Sequence, residues 1–297
     1  MTAITATMIP KEKASKAILL FLLLTALFTV PAYYMVIELA QMSYYYGLMM
    51  WMPALAAFAT CKIMGISFAS LGWGFGASKW AWRSYLLPFF YISAAYGLIL
   101  FLGLADMKST ANFLPNLMDR FGLAGWSNSS AVIFLLVLFL TVGFLRALSY
   151  AVGEEIGWRG FLVPLLMRHT GFTGTALISG IIWGLWHVPV LLFGNYAEQD
   201  LTLYSMGFWA YIVMLICISF PMTYYRLKSG SLWTGAIFHA AHNVAIYNIF
   251  NQIIVMDKRG QYWLSEFGLA LPLAGLLVAA YFIRKANNDH FDHHLGT

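Results

Sequence analysis

Glu154 and Glu155 stand side by side in the run "AVGEEIGWRGFLVPLL", with Arg159 shortly after them. The whole chain of 297 residues carries only 12 acidic residues. Two adjacent carboxylates between apolar flanks must therefore be solvated, paired or protonated. On a helix, Glu155 and Arg159 are i,i+4 and share a face, while Glu154 points about 100° away. Arg159 can then neutralise Glu155 and leave Glu154 turned toward the interior. A carboxylate without a countercharge in a low-dielectric site is the stronger base, as a general base working near neutral pH must be. The competing reading is an interfacial salt bridge that caps a helix at the membrane edge.

Two further clusters add to this one. His187 lies in "SGIIWGLWHVPVLLFG", with Trp183 one turn before it and Pro189 just after. Proline removes a backbone donor, so the carbonyl near Leu185 is freed and a locally opened helix beside a water-accessible cavity is expected. An ionisable group inside an apolar run is a functional hypothesis by default, against the alternative of a satisfied helix–helix contact. His239 and Asn243, in "GAIFHAAHNVAIYN", are again i,i+4, with His242 nearly on the same face. Two hydrogen-bonding side chains a turn apart can address one polarised carbonyl oxygen, or can form a structural polar patch.

A Glu, a His, and a His with an Asn on three separate segments are what a buried hydrolytic centre needs. It takes a base for water, a partner that orients the water, and donors for the tetrahedral oxyanion. Glu154, His187 and His239 would also make three zinc ligands with one open position, although no HExxH is present. There is no GxSxG, and Asp is absent from the apolar segments, so neither serine nor intramembrane aspartyl chemistry is indicated.

The elements that must position these groups are read from composition. The chain is 61% hydrophobic and 10% charged, with 23 Phe, 17 Tyr and 11 Trp, and its mean hydropathy is +0.73. Those values exclude an ordinary soluble domain and predict an all-α polytopic membrane protein. Spanning segments are expected at about 17–38, 44–60, 85–105, 131–149, 172–193, 202–221, 232–252 and 264–283, eight in all. They form one transmembrane helical domain over 17–285, with the motif core at about 150–250. A cytoplasmic segment precedes it at 1–16, and a polar tail follows at 286–297. The start lacks a cleavage site after a short apolar region, so a retained first span is expected and not a signal peptide.

Charge placement gives an independent reading. With the N-terminus cytoplasmic, twelve of the 17 Lys and Arg fall on the inner side. Only Lys108, Arg120, Lys258 and Arg259 fall on the outer side, and Arg146 lies near the inner end of the fourth span. This bias predicts an integral plasma (inner) membrane protein with both termini cytoplasmic. Scattered basic residues between apolar runs argue for membrane topology and against a nucleic-acid partner. The 62–84 segment, rich in Gly and Trp, is expected at the interface. The 106–130 segment is expected to be the longest outer loop, with a short surface helix. The run after Gly160 is expected to form a short interfacial helix between the fourth and fifth spans. Cys61 and Cys217 support neither a disulfide framework nor a thiolate metal site.

The ordered motifs resemble the CPBP family of intramembrane proteases. Its members include CAAX prenyl endopeptidases of the Rce1 type, bacteriocin-processing and self-immunity proteins, and lysostaphin resistance protein A-like proteins. The family's glutamate pair, three variable residues and arginine match Glu154, Glu155 and Arg159. Its aromatic residue, usually Phe, followed four positions on by His, matches Trp183 and His187, with a larger ring here. Its last motif matches His239 and Asn243, and "MPALAA" at 52–57 is similar to family sequence. The resemblance implies that Glu154 activates water with His187, that His239 and Asn243 form the oxyanion hole, and that Glu155, Arg159 and Trp183 support them. It implies membrane lipids and a peptide or protein substrate, possibly prenylated, as partners. It leaves open a metal-independent site, the preferred expectation, or a Zn²⁺ site. The enzyme expected is an endopeptidase opening toward the cytoplasm and cutting near a C-terminal or membrane-proximal position. A non-catalytic scaffold or bacteriocin self-immunity protein, and a proton-coupled transporter, are the alternatives; the transporter predicts inverted repeats, which the sequence lacks.

Overall fold

The structure is a computed structural model describing residues 9–39, 42–194 and 201–291. Of these, 42–45, 110 and 112 are described by backbone alone. Residues 1–8 and the His-bearing tail after 291 lie outside the described residues. Helices account for almost all of the rest: α1 (Lys11–Glu38), α2 (Met42–Met64), α3 (Ser78–Phe101), α4 (Thr110–Arg120), α5 (Asn128–Leu166), α6 (Phe172–Phe193), α7 (Met206–Ser229), α8 (Trp233–Asn243), α9 (Lys258–Trp263) and α10 (Ala270–Asn288). Among the described residues there is no strand, only one isolated bridge between Met107 and Ile254. Six helices, α1, α2 from Tyr46, α3, α5, α6 and α7, are long and apolar enough to cross a membrane. The chain is an all-α polytopic membrane protein.

The seventh and eighth expected spans are largely helical, the eighth only from Ala270, but are not among those six. Around His239, His242, Asn243 and Asn248, α8 passes after 11 residues into a π-helical stretch, Val244–Phe250, so no long apolar α-helix forms. α10 ends in Arg284, Lys285 and two Asn, polar residues that extend the helix past the expected boundary at 283.

Two other expectations are corrected. The fourth span does not stop at 149, and no separate interfacial helix follows Gly160. α5 runs unbroken for 39 residues, Asn128–Leu166, and so carries Glu154, Glu155 and Arg159 within one element. Wide π turns at Phe139–Gly143 and Ile156–Leu162 absorb the irregular bonding, the second just before Pro164, whose missing N–H would otherwise strain the ladder. At about 1.5 Å per residue such a helix exceeds a 30 Å hydrocarbon core. Likewise, α6 continues as regular helix through Pro189, so the opened turn expected there is absent.

Packing explains how so polar a segment stays helical. Gly153 and Gly157 lie one turn apart on α5 and meet α2 backbone to backbone. A Cβ on Gly153 would fall 2.7 Å from the Met50 carbonyl, and one on Gly157 would fall 2.5 Å from Pro53. The "MPALAA" run supplies the opposing surface, with Ala54, Ala56 and Ala57 fully buried. Close approach of small residues is how helices associate where lipid offers no hydrophobic driving force. α7 is the most buried span, 78% of its apolar window, and packs against α6, α8 and α10. The outer loop carries the expected surface helix: α4 buries Leu114, Leu117 and Met118 in a satellite cluster with Leu135 and Phe139 of α5.

Candidate active site

α5, α6 and α8 bring the predicted groups together. Glu155 and Arg159 are both wholly buried and paired at 2.9 Å, as their i,i+4 spacing implied. Glu155 Oε1 also meets His239 Nδ1 at 3.1 Å, so one carboxylate ties α5 to α8. Since that oxygen already serves a guanidinium, it acts as acceptor and His239 carries its proton on Nδ1. Arg159 Nη2 reaches α7, donating to Ser219 Oγ at 3.1 Å and Met222 Sδ at 3.2 Å, while Nε has no partner within the protein. The Arg159 carbonyl accepts from Arg226 Nε at 2.8 Å. Arg159 and Arg226 are thus internal struts, and the membrane-side charge bias rests on ten inner basic residues and not twelve.

Glu154 points the other way and meets two indoles. Trp183 Nε1 donates to Oε2 at 2.5 Å, and Trp158 Nε1 donates to the same oxygen at 3.3 Å. Oε1 has no hydrogen-bond partner within the protein although it is buried. A carboxylate gripped on one oxygen by neutral donors is oriented without being neutralised, because no countercharge shares the bond.

Trp183 is the hub of the site. Its ring lies 4.4 Å from the Arg159 guanidinium carbon, in cation–π range. It sits edge-on to His239 at 5.1 Å and to His187 at 6.2 Å, while its N–H holds Glu154. The residue that departs from the resembled pattern therefore adds a hydrogen bond to the acid that Phe could not make. His187 is 2% exposed and enclosed edge-on by Trp186 at 4.7 Å and Tyr211 at 5.5 Å. Its Nδ1 lies 3.0 Å from the Trp183 carbonyl. A carbonyl only accepts, so Nδ1 carries the proton and the lone pair of the neutral ring is on Nε2.

Asn243, half-buried one turn beyond His239, lines a cavity of about 450 Å³ between α2, α5 and the end of α8. Glu154, His187 and His239 do not line this cavity; they lie deeper, so the four predicted residues form a buried trio and one wall residue. His242 faces α3 instead, paired with the Tyr91 hydroxyl. The cavity also touches Phe121 of the 106–130 segment. Its wall on α5 runs from Leu138 to Tyr150, through the first half and the middle of that helix.

Among the described residues no three His, Cys, Asp or Glu side chains are grouped to hold a metal ion. The Glu154, His187 and His239 set thus does not fit zinc in this arrangement, and Glu155 takes up the His239 nitrogen nearest to it. Sequence reasoning missed Trp158, Ser219 and Met222. Trp158 stands four residues after Glu154 and was legible by the same helical spacing; Ser219 and Met222 carry no signal of their own.

Residues 128–245 match the family model of type II CAAX prenyl endopeptidase Rce1-like proteins. A CAAX prenyl protease 2 of Methanococcus maripaludis is 27% identical over 110 residues. That match covers 36% of this chain and spans 40% of the length of the curated relative. The family match falls on the stretch that holds α5, α6, α7 and α8, and with them Glu154, His187, His239 and Asn243.

Proposed function

We propose that the chain, whose residues 128–245 match the Rce1-like family model, is an intramembrane endopeptidase that cuts near the C-terminus of a membrane-bound peptide or protein, prenylated substrates included. The observation that carries this reading is the division between the two acids: each has one oxygen without a partner in the protein, but the other oxygen of Glu155 is held by Arg159 and His239, whereas that of Glu154 is held only by the neutral indoles of Trp183 and Trp158. Glu154 and His187 take a proton from water, which adds to the scissile carbonyl carbon. Negative charge develops on the carbonyl oxygen, and Asn243 and the imidazolium form of His239 donate to it. The C–N bond then breaks, the abstracted proton passes to the leaving amine, and the products are a shortened substrate ending in a new carboxylate and a released C-terminal peptide with a free amine.

The reaction needs no metal in this reading, in which Glu154 and His187 activate the water by themselves. One transmembrane domain over about 17–285 in the plasma (inner) membrane, with both termini cytoplasmic, is supported by the charge bias.

The test is peptide cleavage by the purified chain, on lipidated and unlipidated substrates, with Glu154→Ala and His187→Ala beside wild type. Loss of a general base lowers kcat by roughly 10²–10⁴-fold. Unchanged cleavage in either variant would sink the assignment. Full activity of protein freed of metal by chelation, with metal content measured, excludes a zinc mechanism; activity that returns only on adding zinc overturns the metal-free reading.

A further inference from the structure

α1 lies outside the residues that match the family model, yet one of its faces reaches the groups of the site. Thr29 and Tyr33 are i,i+4 on α1 and share that face. Both bond to one residue of α6, Trp186, the immediate neighbour of His187. The buried Thr29 Oγ1 accepts from Trp186 Nε1 at 3.0 Å. Thr29 gives its own proton to the Thr25 carbonyl at 2.6 Å, so its oxygen meets Trp186 purely as an acceptor. The Tyr33 hydroxyl donates to the Trp186 carbonyl. That carbonyl stands in the turn that Pro189 leaves one backbone donor short.

These bonds fix a residue that touches both halves of the water-activating pair. The Trp186 ring is buried and stands edge-on to His187 at 4.7 Å. It is also edge-on to Trp158 at 5.9 Å, and the Trp158 N–H meets Glu154. Phe21, about two turns before Thr29 on α1, meets the Trp158 ring edge-on at 5.8 Å. Held at its indole nitrogen and at its carbonyl, Trp186 is fixed both in rotamer and along the axis of α6. A bulky apolar side chain would fill the same space. The two bonds add direction, which a carboxylate and an imidazole acting on one water require.

We propose that Thr29 and Tyr33 are positioning residues of the active site, which set His187 and, through Trp158, Glu154 by holding Trp186. The proposal rests on the protease reading above and deepens it: the geometry of the water-activating pair depends on a helix outside the stretch that matches the family.

The experiment measures cleavage of a prenylated peptide by the full-length, detergent-purified chain. Wild type is compared with Thr29→Val, Thr29→Ser, Tyr33→Phe, Thr25→Val and Trp186→Phe, and with Thr29→Val in the Trp186→Phe background. Thr29→Val keeps the shape and deletes the acceptor, so kcat is expected to fall about tenfold with KM unchanged. Thr29→Ser should hold kcat near wild type, and Tyr33→Phe should lower it less than Thr29→Val does. Thr25→Val, which removes a hydroxyl bonded to the Phe21 carbonyl of its own helix, should leave kcat unchanged. Trp186→Phe has no N–H to hold, so adding Thr29→Val to it should lower kcat no further. A role in folding alone would lower the unfolding midpoint and leave kcat as it is. Undiminished kcat in both Thr29→Val and Tyr33→Phe overturns the proposal. So does an equal fall from Thr29→Val in wild type and in Trp186→Phe. If Thr29→Val does not fold, Tyr33→Phe decides, since it removes a single hydroxyl.

An arm that needs no turnover keeps the two readings apart. Acylation of His187 by diethylpyrocarbonate is followed by mass spectrometry, with the exposed His169 as internal reference. Loosening Trp186 should speed His187 acylation severalfold in Thr29→Val and not in Thr25→Val. If wild type cleaves nothing, the protease reading falls. Faster acylation in Thr29→Val then upholds the grip of α1 on the His187 neighbourhood, and unchanged acylation sinks that as well.

Discussion

Glu155 faces two nitrogen partners, Arg159 at 2.9 Å and His239 at 3.1 Å, while Glu154, one residue earlier, faces two neutral indoles. Both side chains are fully buried, so burial cannot distinguish them. The partners do. Around Glu155 the charges and donors come from α5, α7 and α8, and the network holds three helices in register. Around Glu154 the contacts come from α5 and α6 and fix direction without adding opposite charge. One carboxylate is invested in structure and its neighbour is left able to react; a carboxylate held in an ion pair is poorly suited to take a proton from water.

That contrast can be broken most severely at Arg159. Arg159→Met strands Glu155 in a dry interior, which typically costs about 3–5 kcal/mol. Unfolding in mixed micelles should show this as a large loss of stability, and the Glu155→Gln/Arg159→Met pair should recover part of it. Glu154→Gln should behave oppositely, retaining stability within about 1 kcal/mol, since it removes no ion pair. If both substitutions destabilise alike, the two acids are equivalent and the comparison fails.

A finer test uses Trp183. Trp183→Phe keeps a ring near Arg159 and deletes the N–H to Glu154. About a tenfold fall in kcat with KM unchanged is expected, from one charge-assisted hydrogen bond worth about 1.5–3 kcal/mol in structural terms. Trp158→Phe, at the longer 3.3 Å contact, should cost less. Equal effects of the two would mean that Trp183 acts through packing alone.

The smallest effect is expected at the boundary with water. Asp289 lies beyond α10, hydrogen-bonded by the Tyr224 hydroxyl and paired with Lys228 at 3.0 Å. The hydroxyl first, and then Lys228, hold its carboxyl below the usual range. A depressed folded value gives stability present above the unfolded value near 3.9 and lost as pH falls through the folded one. For an exposed pair this is under about 1 kcal/mol. Asp289→Asn should flatten that acid limb slightly in a thermal-unfolding series against pH, and a drop of several kcal/mol would place Asp289 with the buried network.

Much of the site is legible in the amino-acid sequence. The i,i+4 spacing of Glu155 and Arg159, and of His239 and Asn243, survives folding because helical geometry is local. The inferences that fail are those that depend on neighbours. Hydropathy ends a span at 149, yet α5 continues because Gly153 and Gly157 let α2 pack over the acidic turn. Pro189 is a signal for an opened turn, and α6 runs through it as regular helix. The link between Glu155 and His239 spans 84 positions and has no sequence signature.

Composition and period determine that this chain is helical, that it spans a membrane, and which side chains share a helix face, because each follows from the chain's own repeat and its transfer into apolar solvent. Only the tertiary structure decided which carboxylate is paired, that Trp183 holds the other, and that α1 holds Trp186 beside His187. Those outcomes are set by the distances between helices remote in sequence, and no local pattern encodes a distance between helices.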